Sequence, residues 1–331
     1  MRYMTGVALV FAAGVLWSFQ GLLIRNIHEA GPWAVLFWRS AGMVPVIALW
    51  IAWQTKGRTL ASLRGVRLPG VLGGLSLVLA FGGAIYALQT TTIANAVLLF
   101  AASPIFAAIL GRLLLHEAVT PLTWASILLA LVGVGVMVGG GFEGGGFEGS
   151  GLLGNLAAVL SALGFAIFTV TLRWGHSTAM MQAVLLGGLF SLAAGALAAL
   201  VLGQTVLVPV QDAGLAVIMG AVTLAGGMLL YTVGSRVVPA AQATLISLAE
   251  VLLAPIWAWL FLDETMTQGT ILGGSVLLAA VILNALGQAN GAAERTASLH
   301  TAPPAVPSGP RSPASPDPAP PQAASRPASQ G

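Results

Sequence analysis

No cysteine occurs anywhere in the 331 residues, so disulfides, thiolate metal ligands and thiol nucleophiles are excluded. Charge is almost as scarce. Asp, Glu, Lys and Arg make up 7% of the chain, against roughly 25% in soluble proteins, and a soluble fold so poor in charge would aggregate. The four histidines (His28, His116, His176 and His300) are far apart in sequence, in loops or the tail, and no Asp-rich motif accompanies them. Neither a metal, a cofactor nor a catalytic cluster is expected. An integral membrane enzyme acting on a lipid or small metabolite stands only as the alternative reading. Rings of charge or carbonyl filters, which a channel would need, are missing too. Thirteen basic residues give a pI near 10, but they are scattered over loops and a tail, so no nucleic-acid partner is expected. The glycine-rich run GGGFEGGGFEGSG lacks the Gly-Lys-Ser/Thr of a phosphate-binding loop.

What the chain has is apolar length. Hydrophobic residues are 57% of the total, gathered into ten segments at about 3–25, 32–54, 69–88, 91–114, 121–139, 151–173, 179–202, 212–234, 239–262 and 268–288. Each is long enough for a spanning helix. Pro32, Pro69, Pro121 and Pro239 sit at helix starts, where a missing N–H does no harm. The first segment lacks a small-residue cleavage pattern and reads as a retained span. An all-α polytopic membrane protein with the lipid bilayer as its partner follows. With the N-terminus cytoplasmic, Arg2, Lys56, Arg58, Arg64, Arg67, Arg112, Arg173 and Arg236 fall inside, and Arg25 alone falls outside beside Glu29, Glu143, Glu148, Asp212, Asp263 and Glu264. Both termini are then expected in the cytoplasm of a cell bounded by this inner membrane.

The chain is built twice. ANAVLLFAASPIFAAILGRLLLHE (94–117) is echoed about 147 residues later by the stretch ending at Glu264. Glu117 aligns with Glu264, Thr120 with Thr267, Asn95 with Gln242, and Ser103 with Glu250. Gly6 and Arg25 bracket the first span as Gly154 and Arg173 bracket the sixth, and paired glycines precede both Tyr86 and Tyr231. Each copy holds an odd number of spans, five, so the second must lie upside down relative to the first. The expected organisation is a first five-helix repeat at 1–139, a flexible glycine-rich outer linker at 140–150, a second inverted repeat at 151–288, and a Pro/Ala/Ser-rich tail at 289–331 too poor in apolar residues to fold.

Few ionisable groups lie within the spans. Glu250 falls near mid-membrane in the ninth, where an ionised carboxylate is expensive unless it is paired, protonated or wet. It reads as a proton or cation relay or a counter-ion for a substrate amine, or else as a buried neutral carboxyl. Helical spacing puts it on a small face with Ala240, Ala243, Ser247 and Ala254, opposite a lipid-facing Leu245, Leu248, Leu252 and Ile256. Arg39 either snorkels to the headgroups or faces a cavity, holding an anionic substrate or pairing with Glu250. Asn95 and Gln242 either bond backbone across the repeat interface or line a pocket. Ser103 and Pro104 lie mid-span, where proline bends a helix, with Pro255 in a similar place in the other half. Trp17, Tyr86 and Tyr231 are aromatic residues inside spans, for packing or for a cavity wall. Trp33, Trp53, Trp124 and Trp174 sit at span ends as interfacial anchors. Gly70/Gly74 and Gly269/Gly273 are small-xxx-small pairs for packing within the protomer or for a homodimer.

The ten spans, the inverted halves, and Ser103–Pro104 running into Leu-Leu-Leu-His-Glu-Ala-Val-Thr-Pro (113–121) resemble the drug/metabolite transporter superfamily, EamA type. The likeness covers residues 3 to 288. It implies a secondary transporter that moves a small organic solute, often outward, through a central cavity walled by the first to fourth and sixth to ninth helices. It also implies a carboxyl just before a mid-helix break, which Glu250 matches, while Val251 stands where proline is frequent. The expected substrate site is Glu250, Arg39, Trp17, Tyr86, Asn95, Ser103, Tyr231 and Gln242, with proton coupling through Glu250 as a hypothesis.

Overall fold

The computed structural model describes residues 1–24, 26–90, 96, 99–139, 152–174, 180–262 and 268–301; the side chains of 137–139, 255, 258, 262, 270 and 288–301 lie outside this description. The helices are α1 (Tyr3–Ser18), α2 (Gln20–Ile24), α3 (Pro32–Gln54), α4 (Thr59–Arg64), α5 (Leu68–Thr90), α6 (Ser103–Leu115), α7 (Pro121–Gly139), α8 (Leu152–Trp174), α9 (Met180–Val201), α10 (Val210–Ile218), α11 (Ala225–Gly234), α12 (Ala240–Ser247), α13 (Ala249–Leu262) and α14 (Gln268–Thr301). A π-helical turn, Met219–Leu224, joins α10 to α11. Among the described residues seven helical stretches are long and apolar enough to cross a membrane, and three shorter apolar helices (Ser103–Leu115, Pro121–Val136 and Ile271–Gly287) fall in the remaining predicted segments. All described elements are helical, as the ten-span reading requires.

The packing partners expose the duplication. The third span (α5) packs on the sixth (α8), and the eighth (α11) on the first (α1). The fourth (α6) also lies on the sixth, and the ninth (α12, α13) on the first. The seventh (α9) meets the third as the second (α3) meets the eighth, while second and seventh, and fourth and ninth, meet each other. Such an exchange is what a two-fold axis between the halves produces, and five spans per half put that axis in the membrane plane. The protein is therefore an all-α polytopic membrane fold of two inverted five-helix repeats.

Glycine makes the cross-half contacts close. A methyl at Gly164 in α8 would lie 2.7 Å from the Ala80 nitrogen and the Ser76 carbonyl oxygen of α5. In the mirror contact, a Cβ on Gly227 would run into the Trp17 indole of α1. Gly42 of α3 and Gly220 of the π turn likewise have no room for a side chain, against the Val217 and Arg39 carbonyl oxygens respectively. Of the small-residue pairs, Gly74 packs on Ala183 and Gly187 of α9, and Gly273 meets Gly133 of α7, so these two serve packing within the chain. Leu49, Leu79, Leu128, Leu197 and Leu283 are among the large apolar side chains left on the outside, as lipid requires.

Three spans are interrupted, the first at Phe19 between α1 and α2, and the fourth and ninth near their middles, where a bend at Pro104 and a break beside Glu250 are expected. The ninth turns at Leu248, between α12 and α13. Leu245 and Leu248 are consequently buried rather than lipid-facing, because α12 is enclosed on every side. The fourth breaks at Ala101–Ala102, and the two breaks share one hydrogen-bond pattern. The Ala102 N–H donates to the Leu99 carbonyl, and the Ile105 and Phe106 N–H groups donate to the Ala102 carbonyl. Leu248, Val251 and Leu252 donate in the same way, to Leu245 and then to Leu248. That pattern sets Pro104, not Ser103, opposite Glu250. It also puts Glu250 just after the break rather than before it. No proline is needed at 251 for this turn, and the backbone stays helical from Ala249 to Leu262, past Pro255.

The chain forms two compact units, Met1–Gly291 and Ala292–Gly331. Of the second, the backbone is helical to Thr301, past the predicted start of the tail at 289. Ala292, Ala293, Glu294 and Arg295 are good helix formers, and Pro303–Pro304 follow. The linker at 140–150, and with it Glu143 and Glu148, lies outside the described residues, as do Arg25, Asp263 and Glu264.

Gly164→Ala should lower the thermal midpoint in detergent, because overpacking a tight contact costs about 1–3 kcal/mol. Gly135→Ala, which meets nothing within 4 Å, should leave it unchanged or raise it slightly. Tryptophan fluorescence on heating distinguishes the two.

Candidate functional site

Between the halves lies a cavity of about 260 Å³. Its walls come from the first, second, third, fourth, sixth, eighth and ninth spans. No residue of the seventh lines it, and among the described residues none of the fifth or tenth does. Trp17, Phe165, Leu224 and Met228 form its deeper part, and Gln20, Ile24 and Leu88 carry it toward the end of the bundle where α2 and α5 finish.

The break in the ninth span places Glu250. It stands in the first turn of α13, where the helix dipole favours negative charge. Gly14 of α1 lets that helix approach the break, with its methyl position 3.2 Å from the Ser247 carbonyl oxygen and 3.4 Å from the Glu250 nitrogen. Among the described residues no hydrogen bond or ion pair reaches the Glu250 carboxylate.

Arg39 faces the same cavity from α3 and is 5% exposed, so it does not snorkel. Its Nη1 donates to Gln20 Oε1 at 3.2 Å, and its guanidinium carbon lies 4.9 Å from the centre of the Phe81 ring. Its Nε and Nη2 are buried without an acceptor. No ion pair joins it to Glu250 among the described residues. The close approach of Gly220 to its carbonyl oxygen fixes its backbone.

Four of the eight residues expected from sequence therefore meet in one place: Glu250, Arg39, Trp17 and Ser103. Asn95 lies outside the described residues. The other three do not reach the cavity. Tyr231 has no exposed surface; it sits behind Trp17 and Phe165, with ring centres 5.4 and 5.1 Å away, and shares a 2.7 Å hydrogen bond with Thr169. Tyr86 packs on Trp33 at 5.9 Å; Trp33 is partly buried, and Trp53, Trp124 and Trp174 are exposed. Gln242 accepts a hydrogen bond from the Tyr3 hydroxyl at 3.0 Å, near the opposite end of the bundle.

Sequence reasoning missed Gln20, Phe81, Phe165 and Ser161. Gln20 had a signal, an amide inside an apolar span in WSFQ, while the two phenylalanines look like any other core residue. It also missed Trp257, which stacks on Phe19 at 4.6 Å and donates to Ser18 Oγ at 2.7 Å.

The Tyr3 end is tied shut across the halves. Arg173, at the end of α8, bonds Glu117 through Nε, and its Nη1 donates to the Ser235 and Val238 carbonyl oxygens at 3.0 and 2.6 Å. Glu117 Oε2 accepts from the Ala240 N–H, at the start of α12, at 3.2 Å. His116, in the left-handed region at φ 54°, turns the chain so that Glu117 lies under Gly111. At the other end Asp212 accepts from the backbone N–H groups of His28, Glu29 and Ala30.

Known proteins share this architecture. A solved crystal structure superposes with a TM-score of 0.71 over 85% of this chain and 97% of the other, at 18% identity, which is a likeness of fold. The pseudopaline exporter CntI of Pseudomonas aeruginosa is 26% identical over 288 residues, covering 84% of this chain and 95% of that protein. An uncharacterized transporter of Archaeoglobus fulgidus is 25% identical over 294 residues, covering 86% and 96%. The profile of the EamA-like transporter family matches residues 4–139 and 152–286, one copy on each half. With both repeats matched and a cavity between them, the chain belongs to the EamA-like transporter family and is a membrane transporter.

Proposed function

We propose that the protein is a secondary transporter that exports a small organic solute by alternating access, exchanging it for a proton carried by Glu250. The observation that carries this reading is the contrast between the two ends. A cavity lined by a carboxylate that is unpaired among the described residues extends toward one end, while at the other the halves are joined by Arg173, Glu117 and the start of α12. Opening the tied end while closing the other would pass a solute without a continuous pore. The distribution of basic residues supports a cytoplasmic Tyr3 end, and with it an inner membrane and both termini inside. A relative named as an exporter supports the outward direction.

The coupling has a defined sign. A proton entering from outside neutralises Glu250 and is released inside, so acid outside should speed export and acid inside should slow it. In proteoliposomes, with a solute found by thermal-shift screening of metabolites, Glu250→Gln should lose this dependence and fall about tenfold or more in driven flux, equivalent to ~1.4 kcal/mol. A variant that keeps the full response to the gradient rejects the coupling.

The chain's lack of cysteine makes single-cysteine labelling direct. Gly57→Cys should be labelled from the cytoplasmic side of intact vesicles and Thr205→Cys from the outer side; the reverse pattern overturns the orientation. Ala241→Cys, in the tied region, should react slowly with a membrane-impermeant maleimide. Adding Arg173→Gln should speed that reaction about tenfold to a hundredfold, since a charge-assisted hydrogen bond contributes ~1.5–3 kcal/mol.

A further inference from the structure

Arg39 carries more than a wall residue needs. A guanidinium has two edges suited to a carboxylate, and the one formed by Nε and Nη2 presents two parallel N–H groups at the spacing of the two oxygens. In Arg39 these two nitrogens are the ones without an acceptor, while Nη1 is taken by Gln20. An arginine kept for structure normally fills this edge first, with a carboxylate or with backbone carbonyls. Arg173 is held in this way on two of its nitrogens, with Glu117 on Nε and carbonyl oxygens on Nη1, whereas Arg39 has one neutral amide on Nη1. A buried cation with an empty edge and, among the described residues, no counter-ion is expensive to keep.

The surroundings point to what fills it. The guanidinium carbon lies over the Phe81 ring, a cation–π contact that uses none of its hydrogen-bond donors. The cavity that Arg39 lines is otherwise mostly apolar, with Trp17, Phe100, Phe165, Met228 and Leu248 on its walls. Its one described carboxylate, on Glu250, makes no ion pair with Arg39.

We propose that Arg39 is the specificity-determining residue of the cavity, taking the carboxylate of the transported solute on its Nε/Nη2 edge, so that the solute is a small organic acid with an apolar body. The edge is buried in the present conformation, so the side chain swings from Phe81 into the cavity as the acid enters. The inference deepens the transport reading and rests on it for the word "transported"; binding itself does not depend on flux.

The test compares acids with their uncharged and cationic counterparts on the full chain in detergent. Hexanoate and 3-phenylpropionate are titrated beside hexanamide, 3-phenylpropionamide, hexylamine and 3-phenylpropylamine, read by thermal shift and by quenching of tryptophan fluorescence. At least one acid should bind, with its amide and amine at least tenfold weaker. Arg39→Lys should weaken acid binding tenfold or more, because an ammonium cannot offer the paired edge. Arg39→Met should abolish it and, by removing an uncompensated cation, raise the thermal midpoint of the ligand-free protein. That rise separates a lost ligand from a lost fold. Equal binding of acid and amide, preference for the amine, acid binding that survives in Arg39→Met, or no response to either acid overturns the proposal. Arg39-dependent acid binding without proteoliposome flux would instead overturn the transport reading and leave the site standing. Flux of a solute that lacks an acid group would do the opposite.

Discussion

A backbone that leaves helical geometry inside a bilayer must hide the amides and carbonyls it frees, because lipid offers them no partner. Both mid-span breaks of this protein obey that constraint. The Leu248 turn lies against Gly14 of the first span and is enclosed with the rest of α12; the Ala101–Ala102 turn opens onto Ser103 and Pro104, both buried. The breaks can exist only where the halves meet, and where they meet there is room for a cavity. The glycines at 14 and 164 follow from the same demand, for the halves must come close enough to cover backbone with backbone. The cavity is thus a by-product of how the breaks are covered. Its single carboxylate gains the favourable end of a new helix for the same reason.

Most of the architecture was legible in the sequence because the bilayer leaves so few choices. Apolar length defines the spans, and five segments per copy dictate the inversion. The partner exchange between α5–α8 and α1–α11 is the geometric form of that parity argument. The site was legible where the chemistry was unusual. Glu250 and Arg39 stand out because charge in a span is rare, and both line the cavity. The tyrosines misled because an aromatic ring in a span is equally at home in packing, which is where Tyr86 and Tyr231 are found. Gln242 misled for another reason. Its amide marks the repeat interface, but at the end that Tyr3 closes. The one-residue shift that sets Pro104 opposite Glu250 was invisible, since the aligned sequences keep a constant offset across the break.

The same repeat supplies different chemistry at the two ends of the bundle. At the Tyr3 end an arginine satisfies a glutamate and two carbonyl groups, binding helices from both halves with directional, charge-assisted bonds. At the other, Asp212 gathers three backbone N–H groups from the loop before α3, which fixes the entry of the helix that carries Arg39. The π turn adds to this. Its Gly220 lies against Arg39 itself, so the position of the cation is determined by backbone packing on both sides.

The matching breaks have one acidic group between them. Proline at the first and glutamate at the second give two hinges with the same fold and unlike chemistry. A machine whose halves traded places perfectly would rest equally in either posture. This one carries a carboxyl at one of the two breaks and a proline at the other, so its halves are not interchangeable. If Glu250 carries the proton as proposed, each one that arrives or leaves shifts that inequality, and the imperfect copy gives the cycle a direction.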